Sequence, residues 1–564
     1  MAQEKEVFVR KASGLTRVIS AWDALIYAFC NPGILYAMLY ITWGPWGVGP
    51  AADMPFAVVT VFMLLPIQAM YWLFSVSMPR SGGEYLYVSR IISPAWGLFS
   101  SWTLTIIGMS WTGQCTTWMI NYGFGSLFSN QGILAGDAGL LDAGYMISDN
   151  NLGQYVGLTD GSLLIAALTT VSLITTFLIM WRGAKASMRL SWISVIIATI
   201  GLVSFAIAAL SAGQTVFESR IDALWPGLNA LRPGIFSYTT YAAYASDVAA
   251  EAVASGFSVI GTTVQPEIIG TIFAGTAYVN LNTLGSTYTT SAAGEIKGVS
   301  TAQGLALLGS IIMFMGYWEL FYGTAYIGTG SEFWWGVAFA EYGGYDYAAF
   351  GAMASGMSVM PYISDNAILV ALPSIGFIGA TYGSVLGMSF GPVRNMFAWS
   401  FDGILPNWWN RVDRRGSPYV SVIAAAVIAW IFAMIYSWTS LLALILYTIT
   451  VWFIGWCVVS IAAIVFPYRR KDIFEKSPEL VKKKIGGLPV ITILGALGLG
   501  ISVFTVWVTL APSLVYNWGI DPTALAGTVL FLCIIPFILY YGAYFYRKGK
   551  GVPMDLRFKE IPPD

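Results

Sequence analysis

Residues 280–288 read NLNTLGSTY, between the apolar stretch GTIFAGTAYV at 270–279 and the small-residue stretch TTSAAGEIKG at 289–298. A helix that crosses lipid must satisfy every backbone N–H and C=O internally. Two asparagines, a glycine and a run of hydroxyls at that depth therefore predict an interruption centred on Asn282, Thr283, Gly285 and Ser286. The first apolar stretch, VISAWDALIYAFCNPGILYAMLYITW at 18–43, carries a matching feature at its centre: Cys30, Asn31, Pro32 and Gly33. Proline removes a donor and clashes with the preceding turn, and asparagine offers the backbone a local alternative partner, so this helix is expected to open there.

Outward from these two stretches, the whole chain reads as membrane-embedded. Of its 564 residues 57% are hydrophobic and only 10% charged, against about 25% charged in soluble globular domains. Windows of about 19 residues give twelve candidate spans, at approximately 18–43, 54–78, 95–128, 162–181, 190–211, 268–293, 302–327, 367–399, 418–437, 441–466, 488–511 and 524–546. With the N-terminus inside, this count places all 28 basic residues except Arg220 and Arg232 on the cytoplasmic face, as the positive-inside rule requires. Both termini are thus expected in the cytoplasm, with the chain in the cell membrane. The opposite face collects acidic segments at about 129–161, 212–267 and 328–366, and the aromatic part of the last predicts short helices at the outer mouth.

The organisation expected is a cytoplasmic tail (1–17), a ten-helix core (18–466), a basic loop (467–487), two accessory spans (488–546) and a second tail (547–564). The N-terminal sequence shows no cleavage site of a removable signal peptide. Cys30, Cys115, Cys457 and Cys533 all sit in apolar stretches without close pairing, and there is no histidine. Neither a disulfide framework nor a metal site is suggested, and no cofactor and no nucleic-acid partner are expected.

The first and sixth spans correspond if five spans form one repeat, and interrupted helices in corresponding positions of two halves point to a secondary-transporter site. Interruption exposes N–H groups that favour an anionic group and C=O groups that favour a cation. The two poles suit a zwitterion such as an amino acid. Candidate substrate contacts are Cys30, Asn31, Pro32, Gly33, Tyr278, Leu281, Asn282, Thr283, Gly285 and Ser286, with Gln114 in the third span.

Three further motifs carry a family resemblance. MPRSGGEYLYVSR follows the second span, with Pro79, Ser81, Gly82, Gly83, Glu84, Tyr85 and Arg90. VRNMFAWSFDGILPNWWNRVDRRGSPYVS follows the eighth, with Arg394, Asp402, Gly403, Leu405, Pro406, Gly416 and Pro418. GEIKG closes the sixth, with Glu295 and Lys297. In order and spacing the chain resembles the amino acid–polyamine–organocation superfamily of permeases, of the prokaryotic or archaeal type. The resemblance implies an all-α membrane protein of LeuT-type fold. It would have twelve transmembrane helices as a 5+5 inverted repeat plus two accessory helices, with the first and sixth discontinuous.

The function implied is secondary active transport of amino acids or related organic amines by alternating access, with the lipid bilayer and a small-molecule substrate as partners and no enzymatic reaction. The alternative is a transport-inactive receptor or scaffold of the same fold, binding partners through its outer segments. The resemblance places the family's sixth-span glycine on Gly285 and its first-span glycine–serine–glycine on Asn31, Pro32 and Gly33, where Pro32 lacks an N–H. Its aromatic gate falls on Leu281, with Tyr278 one turn earlier. The lysine of some proton-coupled relatives falls on Ala198. The coupling ion is left open between proton and sodium, with Asp23, Ser384 and Ser389 as candidate residues.

Overall fold

The computed structural model describes residues 15, 17–31, 33–48, 52–148, 162–233, 238–342, 355–438, 444–511, 522–552, 554 and 558. Among these, nine helices are long and apolar enough to cross a membrane: Met54–Ser77, Ser162–Trp181, Ala184–Leu231, Val299–Thr329, Ala367–Phe401, Tyr419–Trp438, Thr448–Arg469, Val490–Thr509 and Leu525–Gly549. They coincide with nine of the twelve expected spans. The other three are the first, sixth and third: the first and sixth are broken into shorter pieces, and the third, Pro94–Trp118, is a 25-residue helix rich in serine, threonine and glycine.

The outward faces of the long helices are apolar. Val171, Ile174 and Leu178 on one, Ile193, Ile196 and Ile200 on the next, and Phe531, Ile534 and Ile538 on the last described helix are all exposed. Apolar patches of this extent mark a membrane or partner surface, not a water-facing one. Inside, small residues set the helix spacing. A Cβ built on Gly201 would lie 2.6 Å from the Cα of Gly376, so Ala184–Leu231 and Ala367–Phe401 meet backbone to backbone, as small residues permit between membrane helices.

The connectors segregate by charge. At one end Arg90 forms a bidentate pair with Asp402 (2.6 and 3.0 Å), and Arg394 forms another with Glu295 (2.8 and 3.2 Å), all four buried. Tyr85 donates to Asp402 at 2.8 Å. The motif after the second span and the motif after the eighth, some three hundred residues apart, therefore close on each other. Arg470 adds a bond to the Arg90 carbonyl (2.7 Å), and Arg547 one to the Leu405 carbonyl (2.8 Å). At the other end Arg232 pairs with Asp142, and Arg220 holds the Pro361 carbonyl at 2.9 Å.

That second end is more ordered than its charge suggests. Gly213, with φ of 72°, turns the chain inside Ala184–Leu231, and helix continues beyond it instead of loop. Tyr241–Ala254 and a two-stranded hairpin pairing Val259–Ile260 with Thr263–Val264 follow. Of the aromatic stretch expected to form short helices, Ser331–Tyr342 is helical, residues 343–354 lie outside the described residues, and a further short helix, Met360–Ile363, follows.

Candidate functional site

The first interruption begins at a well-capped helix. Ser20 accepts from the Asp23 N–H and the Asp23 carboxylate accepts from the Ser20 N–H at 3.0 Å, a reciprocal capping box that starts Ala21–Cys30. α-Helix stops at Cys30 and resumes at Ala37. Asn31 is fully buried; its backbone N–H (3.2 Å) and its side-chain Nδ2 (2.9 Å) both donate to the Tyr27 carbonyl, closing the end of the first piece. Pro32 lies outside the described residues. The Gly33 carbonyl, freed from the helical ladder, accepts from Trp318 Nε1 at 3.3 Å and from the Tyr36 N–H at 3.0 Å. A Cβ on Gly33 would sit 1.7 Å from the Tyr36 ring, so glycine is required there by space alone.

The second interruption is built differently. α-Helix ends at Ala274 and returns at Tyr288, but the chain between stays wound, in π turns over Gly275–Val279 and 3-10 turns over Asn280–Thr287. The sequence led us to expect an opening; the hydroxyls explain the rewinding. Thr283, Ser286, Thr287 and Thr290 each donate to the carbonyl three residues back, at 2.8, 2.8, 3.0 and 2.8 Å. Each of these four hydroxyls bonds within its own turn, which lets the run lie buried. Changes of helical winding of this kind recur at functional sites.

The two interruptions face one small cavity, of about 10 Å³. Gly33 and Tyr36 come from the first, Leu281, Asn282 and Leu284 from the second, and Trp111, Met388 and Trp452 complete the wall. Of the polar residues singled out by the sequence only Asn282 lines it; Asn31 and Gln114 are buried outside the lining. Gly285 and Gly387 bring backbone against Asn31: a Cβ on the first would lie 2.9 Å from the Asn31 Cβ, and on the second 2.9 Å from its Oδ1.

The remaining sequence candidates distribute unevenly. Tyr278 is buried, gives its carbonyl to Asn282 Nδ2 at 2.7 Å and packs against Tyr40, ring centroids 6.1 Å apart. Ser286 accepts from Gln68 Nε2 at 2.8 Å. Cys30 contacts the Ser191 carbonyl at 3.5 Å, on the side of the fifth span. Asp23 takes part in the capping box and accepts from Trp192 Nε1 at 3.0 Å, at the helix start and away from the cavity. Ser384 bonds the Ala380 carbonyl (3.2 Å), and Ser389 bonds the Val385 carbonyl (2.7 Å) and Thr112 (2.9 Å). Sequence reasoning missed Tyr36, Trp111, Met388 and Trp452. Of these only Tyr36 left a trace, an aromatic less than one turn beyond the predicted opening.

A bundle with nine helices long and apolar enough to cross a membrane among the described residues is the architecture of a multi-pass membrane protein. Comparison with known families agrees: residues 19–533 match the amino acid permease family, and the chain belongs to it. It is by that membership a permease of the amino acid–polyamine–organocation superfamily, a multi-pass membrane transport protein. No curated protein matches the sequence.

Proposed function

We propose that the chain is a secondary active transporter that carries amino acids or related organic amines across the cytoplasmic membrane by alternating access, with twelve spans, a 5+5 inverted repeat and both termini inside. The observation that carries this reading is the shared cavity. Two helices five spans apart both lose α-helical winding, and Gly33 from one and Asn282 from the other line the same space. Tyr36 and Asn282 supply the polar residues of its wall, and Trp111 and Trp452 supply apolar walls for a side chain. Substrate recognition then uses Asn31, Gly33, Leu281, Asn282 and Gly285, with Cys30, Pro32, Gln114, Tyr278, Thr283 and Ser286 supporting the two segments.

The described conformation suits an occluded state. At the basic end the Arg90–Asp402 and Arg394–Glu295 pairs tie the connector after the second span and the end of the sixth span to the end of the eighth, and these contacts have to open for release on that side. The test is uptake into proteoliposomes of a panel of labelled amino acids and polyamines under imposed proton or sodium gradients. Accumulation of at least one compound, competed by its unlabelled form, is the expected result. No accumulation or counterflow for any member would overturn the reading.

A further inference from the structure

The basic end also holds a carboxyl group that neither ion pair uses. Glu84 lies in the first turn of Gly83–Ile91, in the connector between the second and third spans, and is fully buried. Two left-handed glycines put it there. Gly82, at φ of 114°, and Gly83, at φ of 47°, turn the chain so tightly that a Cβ on either would fall 2.8 Å from Ala398 or 2.9 Å from Ser291. The Gly82 N–H bonds the Ser291 carbonyl at 3.0 Å, which docks the turn directly on the end of the second interrupted stretch.

Glu84 has no counter-charge. Arg90, on the same short helix, is spent in its bidentate pair with Asp402, with Arg470 on its carbonyl. Arg394, from the eighth span, pairs with Glu295 through Nε and Nη2, keeps its buried Nη1 without a partner, and stacks 3.4 Å over the Phe390 ring. The ionisable groups within electrostatic reach from the packed elements are tyrosines: Tyr71 from the second span, Tyr87 from its own helix and Tyr288 from the second interrupted stretch. The polar contact is neutral. Asn395 Nδ2 donates to Glu84 Oε1 at 3.1 Å and to Thr105 Oγ1 at 3.1 Å. Glu84 Oε2 and Asn395 Oδ1 are left without partners, both fully buried. A lone carboxylate in such a chamber is unfavourable, whereas a carboxylic acid supplies a donor where unpaired acceptors lie.

We propose that Glu84 is the proton-binding site that couples this permease to a proton gradient: it carries a proton on its carboxyl while the basic end is closed and yields it to the cytoplasm when that end opens. The inference rests on the transport reading above. The coupling follows from position: Asn395 holds Glu84 itself, the adjoining Gly82 and Gly83 pack on Ala398 and Ser291, and separation of those contacts lets water reach the carboxyl. An ionised, hydrated Glu84 then opposes reclosure until it is reprotonated. A proton thus acts as a ligand with higher affinity for the closed form, which is the requirement for any ligand to shift such an equilibrium.

Burial pushes the Glu84 carboxyl up to about 8 from an ordinary value of 4.5. A folded-state value raised for an acid means that stability is fully present below pH 4.5 and is lost as pH rises towards about 8. The closing experiment needs no substrate: infrared difference titration of the full chain in lipid nanodiscs, wild type against E84Q. A protonated-carboxyl C=O band that persists at neutral pH, disappears as pH passes about 8 and is absent from E84Q is expected. The thermal midpoint should fall with pH in wild type between pH 4.5 and 8 and flatten in E84Q, a check that needs only the pH series of the native chain if the variant folds poorly. An identical band in E84Q, or a wild type without one at neutral pH, overturns the proposal.

In proteoliposomes fed an equimolar mixture of labelled amino acids, the ratio of uptake with to without an inward proton gradient should drop to about one in E84Q. A ratio unchanged from wild type also overturns the coupling role. Absence of all uptake with the band intact would instead sink the transport reading, and the coupling role with it, while leaving the proton site standing.

Discussion

The two interrupted stretches solve the same problem in opposite ways. At residues 31–36 the helix is left open, and the released groups are taken up from outside: Trp318 serves the Gly33 carbonyl, and the Asn31 side chain doubles back to Tyr27. At residues 275–287 the helix is rewound, and the released groups are taken up from within by hydroxyls bonding three residues back. The first depends on its neighbours and the second on its own composition. An open segment offers backbone and a vacant carboxamide oxygen to a ligand, whereas a rewound one offers a firm wall that can pivot. On the transport reading proposed above, the contrast gives recognition chiefly to the first and movement chiefly to the second.

The two stretches are tied at the basic end. The Glu295 carbonyl accepts from the Val18 and Ile19 N–H groups at 2.9 and 3.0 Å, and Lys297 N–H returns a bond to Ile19 at 2.9 Å. The Glu295 carboxylate is in turn clamped by Arg394. The largest effect on the comparison should come from cutting this clamp. Arg394→Met leaves a buried carboxylate unpaired and should cost about 3–5 kcal/mol, read as a lowered thermal midpoint in detergent. Pairing it with Glu295→Leu should recover much of the loss, and an undiminished midpoint in the single variant would show that the strap bears no load.

Next comes the open segment itself. Gly33→Leu pushes a side chain into the Tyr36 ring and misplaces the recognition backbone. Uptake should fall on the order of 100-fold, as misplacement by about 1 Å commonly does, while folded yield by gel filtration stays measurable. A smaller effect belongs to the rewound segment. Ser286→Ala removes the acceptor of Gln68 and should cost about 1–3 kcal/mol for the unpaired buried amide; Gln68→Leu in the same background should restore part of it. The smallest is at the start of the first stretch, where Ser20→Ala removes an N-cap and should cost about 1 kcal/mol, with little change in uptake. If Ser20→Ala impaired uptake more than Gly33→Leu, the division between recognition and support would be wrong.

Much of this was readable in the sequence, and what was not has physical causes. The positions of the long apolar helices follow from hydropathy, and the opening near Asn31 and Gly33 follows from residues that cannot sustain a helix. Rewinding at 280–287 was hidden because Asn, Gly, Ser and Thr are weak helix formers in isolation, and whether their side chains break the turn or cap it depends on a packed surrounding. Tyr36, Met388 and Trp452 line the cavity only because the first, eighth and tenth spans meet there, which no local pattern encodes. Glu84 was visible as a motif residue, but its isolation was not: Arg90 and Arg394 stand close in the fold and would read as its partners until their pairing with Asp402 and Glu295 is seen. Helix beyond Gly213 was missed because an acidic, extramembrane stretch has no hydropathy signal to mark it.

The central claim is that a small solute sits between the open and the rewound segment. It is tested most directly by cryo-electron microscopy of the protein in nanodiscs with the amino acid that gives the highest uptake in the panel, compared with a sample lacking it. The account predicts added density in contact with Gly33 and Asn282, with α-helix absent at residues 31–36. Density bound elsewhere, or an unbroken α-helix through both stretches, would contradict it.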